Sequence, residues 1–289
     1  RPGMGINNLE VVGTAEKEIA DGGTDIDFSD KDNEISFGTY VGVLDVDSDT
    51  KAEGTYTNEA TEDFGYWYCK YEDRKDFSSV SSFALDSSIV NPGGICFDGE
   101  NLLVSDLEPP ATIYEIDITD GTIISAFDIS GIVPYPIGFD WDGEYFWDAY
   151  SDTIYKFDAS WAVDTFFTCP GVGRLTYHEG YIWCIRVYTL FEGALCKVDP
   201  SNGNIENAYD FYMSDLAGFT SDGTNFWFSK SFSYYDWTAI YKVDTTGTFL
   251  ETYNSPSYKP GALTFDGSFL YCIGSDINSS EKRIFKLGF

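Results

Sequence analysis

Few kinds of side chain in this sequence could do chemistry. There is one histidine, His178, together with six cysteines: Cys69, Cys96, Cys169, Cys184, Cys196 and Cys272. Any Ser-His-Asp or Cys-His nucleophile would have to use His178. No two cysteines have CxxC spacing, and one histidine cannot complete a mixed set, so a structural zinc site is not expected. Cys184 and Cys196 stand symmetrically about Leu190. A hairpin centred there sets them opposite each other, within disulfide reach. Buried free thiols are the competing reading of an even cysteine count.

Carboxylates dominate the rest. With 48 Asp and Glu against 17 Lys and Arg, the formal net charge is −31. Such a polyanion repels nucleic acid and anionic lipid, which bind through Lys and Arg, so neither is an expected partner. The charge serves solubility or the holding of a divalent cation. The alternating carboxylates Asp45, Asp47 and Asp49, with Glu53 close behind, are the expected cation ligands, and calcium is the expected ion. They lack the Gly and the distal Glu of an EF-hand, and a metal-free surface loop is the plainer reading. Acid–base work by paired carboxylates, as in glycoside hydrolases, remains open. Asp140 is the acidic residue most distinct from its surroundings for that role.

Aromatic residues supply a third chemistry. Val187 to Phe191 and Phe232 to Trp237 are two variable stretches rich in rings. Tyr188, Phe191, Tyr234, Tyr235 and Trp237 are the expected ligand-binding residues, suited to glycan or protein. The competing reading folds these rings over a sheet edge as extra core.

A repeat positions all of these residues. One phrase recurs five times: Gly94-Ile95-Cys96-Phe97-Asp98-Gly99, Gly138-Phe139-Asp140-Trp141-Asp142-Gly143, Arg174-Leu175-Thr176-Tyr177-His178-Glu179, Gly218-Phe219-Thr220-Ser221-Asp222-Gly223 and Ala262-Leu263-Thr264-Phe265-Asp266-Gly267. The Asp-Gly step marks a tight turn, because Gly accepts the positive φ required. A short apolar strand follows, for example Phe146-Trp147 or Phe226-Trp227-Phe228. After a variable loop comes a third strand such as Ile154-Tyr155-Lys156-Phe157-Asp158 or Ile240-Tyr241-Lys242-Val243-Asp244. A turn and a fourth strand close the first four copies.

The copies are spaced 44, 36, 44 and 44 residues apart, measured from the Asp or His of the phrase. Four short strands in that length form one propeller blade. The small residue opening each inner strand fits the crowded axis. Arg174 breaks that column and is expected to point into the channel. His178 holds a turn position that is Asp in the other copies, which argues against a catalytic base there. The column Cys96, Asp140, Thr176, Thr220, Thr264 and the column shared by Asp106, Arg186 and Lys230 are expected to face the channel or its mouth. The fifth copy stops at Phe289 without a fourth strand. Ser81 to Asp86 resembles Ser125 to Asp128 and is expected to supply it, closing the ring with both chain ends in one blade.

The repeats resemble the quinoprotein-like, YncE-like and glutamine-cyclotransferase-like propellers. These share the Asp-Gly turn, the Leu-Trp or Phe-Trp strand, the Ile-Tyr-Lys-Val-Asp strand and a Thr-Gly turn. The resemblance covers roughly residues 80 to 289 and implies a fold rather than an activity. Residues 1 to 77 lack the repeat and read as extended pieces separated by acidic turns. Leu9 to Gly13, Glu18 to Gly22 and Ile35 to Gly38 resemble the opening of surface Ig-like choice-of-anchor modules. A sixth, divergent blade over residues 35 to 75 is the alternative.

The expected protein is all-β: an acidic, strand-rich segment over 1–77 and a five-bladed propeller over 78–289, with six blades as the alternative. Its expected role is a non-catalytic extracellular or cell-surface structural or adhesive protein. It would bind glycan, a surface protein or copies of itself, assembling through Ile6 to Ile19 as a donated strand. A secreted propeller enzyme of glycoside hydrolase or lyase type is the alternative, and a ligand-binding sensor is the third reading.

Overall fold

The computed structural model describes the strand backbone within residues 1–73. It describes backbone and side chains over 74–289, apart from 188–192, 212–215, 231–237, 258, 277–278, 280 and the side chain of Val187. The chain divides into two units, Arg1–Asp73 and Arg74–Phe289.

In the first unit the strands Leu9–Val12, Glu34–Phe37, Tyr40–Val43, Asp45–Ser48, Lys51–Asn58 and Asp63–Tyr71 make one antiparallel sheet. This sheet has six strands, whereas each blade of the second unit has four. Leu9–Val12 lies at one edge, hydrogen-bonded along Tyr68 to Tyr71 of its own chain.

The second unit is a propeller of five four-stranded antiparallel blades. Inner strands are Pro92–Phe97, Phe139–Trp141, Val172–His178, Leu216–Ser221 and Leu263–Phe265 in blades 1 to 5. Second strands are almost wholly buried, because each lies between two neighbouring blades. The core is therefore a set of inter-blade layers. Phe146 packs with Leu103 and Ile113 of blade 1, whereas Trp147 packs with Leu175 and Cys184 of blade 3. Alternate residues of one strand serve opposite neighbours, as the two-residue period of a strand requires.

Ser79–Ala84 pairs antiparallel with Lys282–Gly288 and completes blade 5. The ring thus closes with strands from both ends of the unit, two residues earlier than the sequence pattern places the strand. The third strand of that blade is thereby paired along its length and is not left as an open edge.

The repeated residues have concrete duties. Asp98, Asp142, Asp222 and Asp266 each accept two backbone N–H bonds across the turn that follows. The second carboxylate oxygen of Asp142 accepts from the Trp147 indole at 2.7 Å, and that of Asp222 from Trp227 at 2.8 Å. Asp117, Asp158, Asp199 and Asp244 cap the next turn by bonding the residue two positions on. The third-strand lysines lie over rings: Lys156 over Tyr145 and Lys197 over Tyr181 at 3.5 Å, Lys286 over Phe269 at 4.1 Å. Blade 1 has Glu115 in that position, with Asn101 replacing the ring. The Asn101 amide donates to Glu115 at 2.9 Å, so a hydrogen bond replaces the cation–π contact.

The 36-residue spacing before His178 also has a cause. Blade 2 joins its second and third strands by Ser151-Asp152 alone, both at positive φ (47° and 63°). That two-residue turn is the tightest hairpin connection a twisted pair accepts.

Candidate functional site

The inner strands begin at one mouth of the propeller, and the second strands end there. Val172 pairs with Arg186 and Leu216 with Lys230, which places both cations at that mouth. Just inside lies a small axial cavity of about 10 Å³, room for about one water. Ile95, Phe139, Leu175, Phe219 and Leu263 line it, with Arg174 as its one charged residue. Arg174 donates from Nη1 to the Ile137 carbonyl at 2.6 Å and from Nε to the Leu216 carbonyl at 3.1 Å. The side chain therefore bridges blades 2 and 4 from its own place in blade 3. Desolvation pushes its value down to about 10.

Two channel-side carboxylates, the buried Asp106 and the half-buried Asp140, are occupied by the fold. Asp106 accepts from the backbone N–H groups of Val90, Asn91 and Glu108 at 2.7, 2.8 and 3.0 Å. It ties the segment leading into blade 1 to the end of the second strand. Asp140 accepts from the Thr176 hydroxyl at 2.6 Å and the Tyr177 N–H at 2.8 Å, both in blade 3, and from its own neighbour Trp141 at 2.9 Å. Burial raises its carboxyl value, and these bonds oppose that rise. Asp140 thus latches blade 2 to blade 3. Thr264 plays the same part between blades 5 and 1, accepting from the Phe97 N–H at 3.1 Å. No second carboxylate converges on Asp140 to make an acid–base pair among the groups that bond it.

Asp148 differs. It is fully buried on the second strand of blade 2. One oxygen accepts from the Ala149 N–H at 2.7 Å, and the other has no partner. Burial pushes its carboxyl well up, so the neutral acid is favoured in the folded protein.

His178 is buried, and its Nδ1 meets the Ser221 hydroxyl at 2.8 Å. Burial lowers its value, which favours the neutral ring. Where Asp142 and Asp222 accept an indole N–H, His178 leaves the Trp183 indole without a partner. The turn changes too: Glu179 and Gly180 both take positive φ (49° and 85°). His178 is thus an altered turn cap, as its place in the repeat suggested, with a Ser-His contact added.

Cys184 and Cys196 stand directly opposite in the blade 3 ladder. A third thiol, Cys169, joins them from the turn after blade 2, and all three are buried free thiols in one apolar cluster. Cys184 shares hydrogen bonds with Cys169 and Cys196, which push its value well up and theirs down. The Arg186 guanidinium adds to the lowering at Cys169 and Cys196.

The ring-bearing residues Tyr188, Phe191, Tyr234, Tyr235 and Trp237 lie outside the described residues. So does Asp49 of the expected cation set. Asp45, Asp47 and Glu53 fall in two paired strands, with Asp45 opposite Glu53 in the backbone register. Sequence reasoning missed Cys169, which lies outside the repeat phrase. It also passed over Asp148, whose column otherwise reads Val104, Cys184, Phe228 and Cys272.

No described protein family matches the sequence, and no curated protein matches it significantly. Solved structures do match. The glutaminyl cyclase of Myxococcus xanthus aligns with a TM-score of 0.56 at 11% identity, covering 72% of this chain and 93% of that one. The calcium-binding protein regucalcin of Agrobacterium tumefaciens aligns at 0.47 with 13% identity, over 74% and 94% of the two chains. BamB of Moraxella catarrhalis aligns at 0.35 with 12% identity, over 88% and 83%. The Ig-like resemblance of the N-terminal segment finds no support among these structures. The chain carries a five-bladed β-propeller, and it shares that fold, and the fold alone, with the Myxococcus enzyme.

Proposed function

We propose that this protein is a non-catalytic extracellular or cell-surface binding scaffold, which engages a glycan or a surface protein through the mouth where Arg174 lies. One observation carries the reading. The channel-side carboxylates that an enzyme of this shape would use, Asp106 and Asp140, already accept hydrogen bonds from backbone and hydroxyl donors. A carboxylate whose oxygens already accept three hydrogen bonds from the fold has little capacity left to engage a substrate. The strands flanking the two aromatic stretches end at the same mouth. A rigid ring presenting variable loops suits recognition.

The test is a binding screen on glycan arrays and on surface extracts, with Tyr188→Ala and Trp237→Ala as paired variants. Saturable binding that falls at least tenfold in both variants supports the proposal. Turnover of a glycoside or peptide substrate that disappears in Asp140→Asn would replace it with the enzyme reading. Self-assembly and calcium belong to the same proposal. Deleting residues 1–20 should lower the mass seen by light scattering, and calcium should raise the melting temperature relative to chelator. A wild type that is monomeric at high concentration, or one whose melting ignores calcium, removes the corresponding part.

A further inference from the structure

Three of the six cysteines meet at one point of the fold. Cys184 and Cys196 are direct partners in the ladder of blade 3. Residues so placed have Cβ atoms about 4.5–5.5 Å apart, close to what a disulfide spans. Cys169 reaches the same point from the connection between the outer strand of blade 2 and the inner strand of blade 3. All three are buried free thiols in one apolar cluster with Trp147, Leu175 and Ile182. Cys184 is the middle sulfur, in hydrogen-bond contact with each of the others. Arg186 stands two residues beyond Cys184, on the same face of the strand. Its Nε donates to the Pro170 carbonyl at 2.6 Å, and its guanidinium bonds the Cys196 thiol. Cys96 and Cys272 have other surroundings. Cys96 meets the Asp140 carboxylate at 3.7 Å, and Cys272 donates to the Ile273 carbonyl at 3.2 Å. A cation beside a thiol favours the thiolate, which is the reactive form, whereas a carboxylate or an apolar wall opposes it. Thr168 and Pro170, on either side of Cys169, are both exposed. A surface turn opens locally at less cost than a core strand, so Cys169 is the sulfur that a small oxidant meets first.

We infer that Cys169, Cys184 and Cys196 form a site of reversible oxidation by hydrogen peroxide, in which Cys184 is the shared sulfur of two alternative disulfides. One joins it to Cys169 and ties the blade 2–3 connection to the second strand of blade 3. The other joins it to Cys196 and stays within the blade 3 ladder. The Cys169 thiolate attacks one peroxide oxygen. An S–O bond forms and the O–O bond breaks, leaving a sulfenic acid, and the departing hydroxide takes up the thiol's proton as water. Cys184 then attacks the oxidised sulfur. The S–S bond forms, the S–O bond breaks, and a second water leaves with the Cys184 proton. Two thiols have lost two electrons and two protons, and the peroxide has become two waters. Cys196 can next attack the Cys184 sulfur and release Cys169 as a thiolate, an exchange that needs no further oxidant. Contact among the three sulfurs makes that exchange a reaction within one cluster, and Arg186 stabilises the thiolate at either end of it. The inference does not depend on what the mouth of the propeller binds.

The experiment treats the reduced, folded full chain with a small excess of hydrogen peroxide. Samples are quenched in acid, alkylated in denaturant and mapped by peptide mass spectrometry. Wild type should yield both the Cys169–Cys184 and the Cys184–Cys196 peptides, with one disulfide per molecule, and dithiothreitol should return every thiol. The three should oxidise about tenfold or more faster than Cys96 and Cys272. Cys169→Ser keeps the Cys184–Cys196 pair but loses the first sulfur met by peroxide, so its disulfide should form about tenfold more slowly. Dimedone present during oxidation should tag Cys169 in wild type, which needs no variant and covers the case in which Cys169→Ser does not fold. Oxidation of Cys96 or Cys272 as fast as the cluster overturns the inference. So does a wild type that gives one of the two disulfides alone, a Cys169→Ser protein that oxidises at the wild-type rate, or a tag that falls on another cysteine.

Discussion

Changing Asp148 to Asn should shift stability in favour of the variant as pH rises, leaving it the more stable protein at neutral pH. Asp148 is fully buried, with one oxygen bonded to the Ala149 N–H and the other unpaired. Asn keeps the accepting oxygen and the shape but cannot ionise. Burial raises the folded carboxyl well above its ordinary value of 3.8. The sign follows directly. Below 3.8 the carboxyl is protonated in both folded and unfolded chains, and ionisation does not separate wild type from variant. Above it, the unfolded chain releases a proton that the folded chain keeps, so the wild type loses stability as pH rises toward the folded value. Each pH unit in that window takes about 1.36 kcal/mol from the wild type and nothing from the Asp148→Asn variant.

For a unit of this size, about 1 kcal/mol moves Tm by about 2–4 °C. The gap between variant and wild type should therefore open by about 3–5 °C per pH unit above pH 4, then level off. Asn leaves a buried amide N–H₂ where the unpaired oxygen was, which costs about 1–3 kcal/mol at every pH. The variant thus starts level with or below the wild type at pH 4 and crosses above it. Calorimetry in half-unit pH steps measures this, and Asp140, the other raised carboxyl, is present in both proteins and cancels. Parallel Tm curves from pH 4 to 7 would refute the reasoning, because they would mean that Asp148 ionises as readily folded as unfolded.

Replacing His178-Glu179 by Asp-Gly should restore the acceptor that Trp183 lacks and raise stability by about 1 kcal/mol, read as a Tm gain of a few degrees. Mild oxidation should join Cys184 to Cys196 or to Cys169. Thiol counting under denaturing, non-reducing conditions followed by peptide mapping would show one linked pair, and full recovery of all thiols would exclude it. Hydrogen bonds from Thr119, Ser160 and Ser201 hold the Asp117, Asp158 and Asp199 carboxyls below their usual value. The stability they give is present above 3.8 and lost as pH falls through their lower folded values. The triple Asn variant should therefore unfold less steeply with acid, which circular dichroism would follow.

The blade repeat was legible because each of its residues does the same work in several copies. The Asp of the Asp-Gly step caps a turn and, in blades 2 and 4, holds an indole. The lysine of the third strand covers a ring in blades 2, 3 and 5. Recurrent local bonding leaves a recurrent local pattern. Arg174 could be placed on the axis for the same reason, since it stands in a column of small residues. Cys169 was not legible. It lies in an irregular turn, and blade-to-blade packing alone brings it to Cys184. Nor could the sequence show that Asp106 and Asp140 are saturated, because their donors come from Val90, Asn91 and Thr176, 15 to 36 residues away.

The departures from the repeat are not scattered. Arg174 replaces a small residue, His178 replaces a turn aspartate, and Glu179-Gly180 reverses the turn's glycine position. All three lie within seven residues of blade 3, and the three-thiol cluster joins the same blade to the turn before it. Asp140 and Asp148, the two carboxyls with raised values, stand on the neighbouring blade, and Asp140 bonds directly to blade 3. A closed ring needs its blades to be equivalent enough to fit, and four of the five keep the small axial residue. Two buried polar atoms are left without a partner among the described residues, the Trp183 indole and one Asp148 oxygen. Natural sequences break local rules chiefly where function or strain requires it. These departures therefore gather at the seam between blades 2 and 3, from the axis at Arg174 out to Cys169, where the ring is held by irregular contacts in place of the repeated ones.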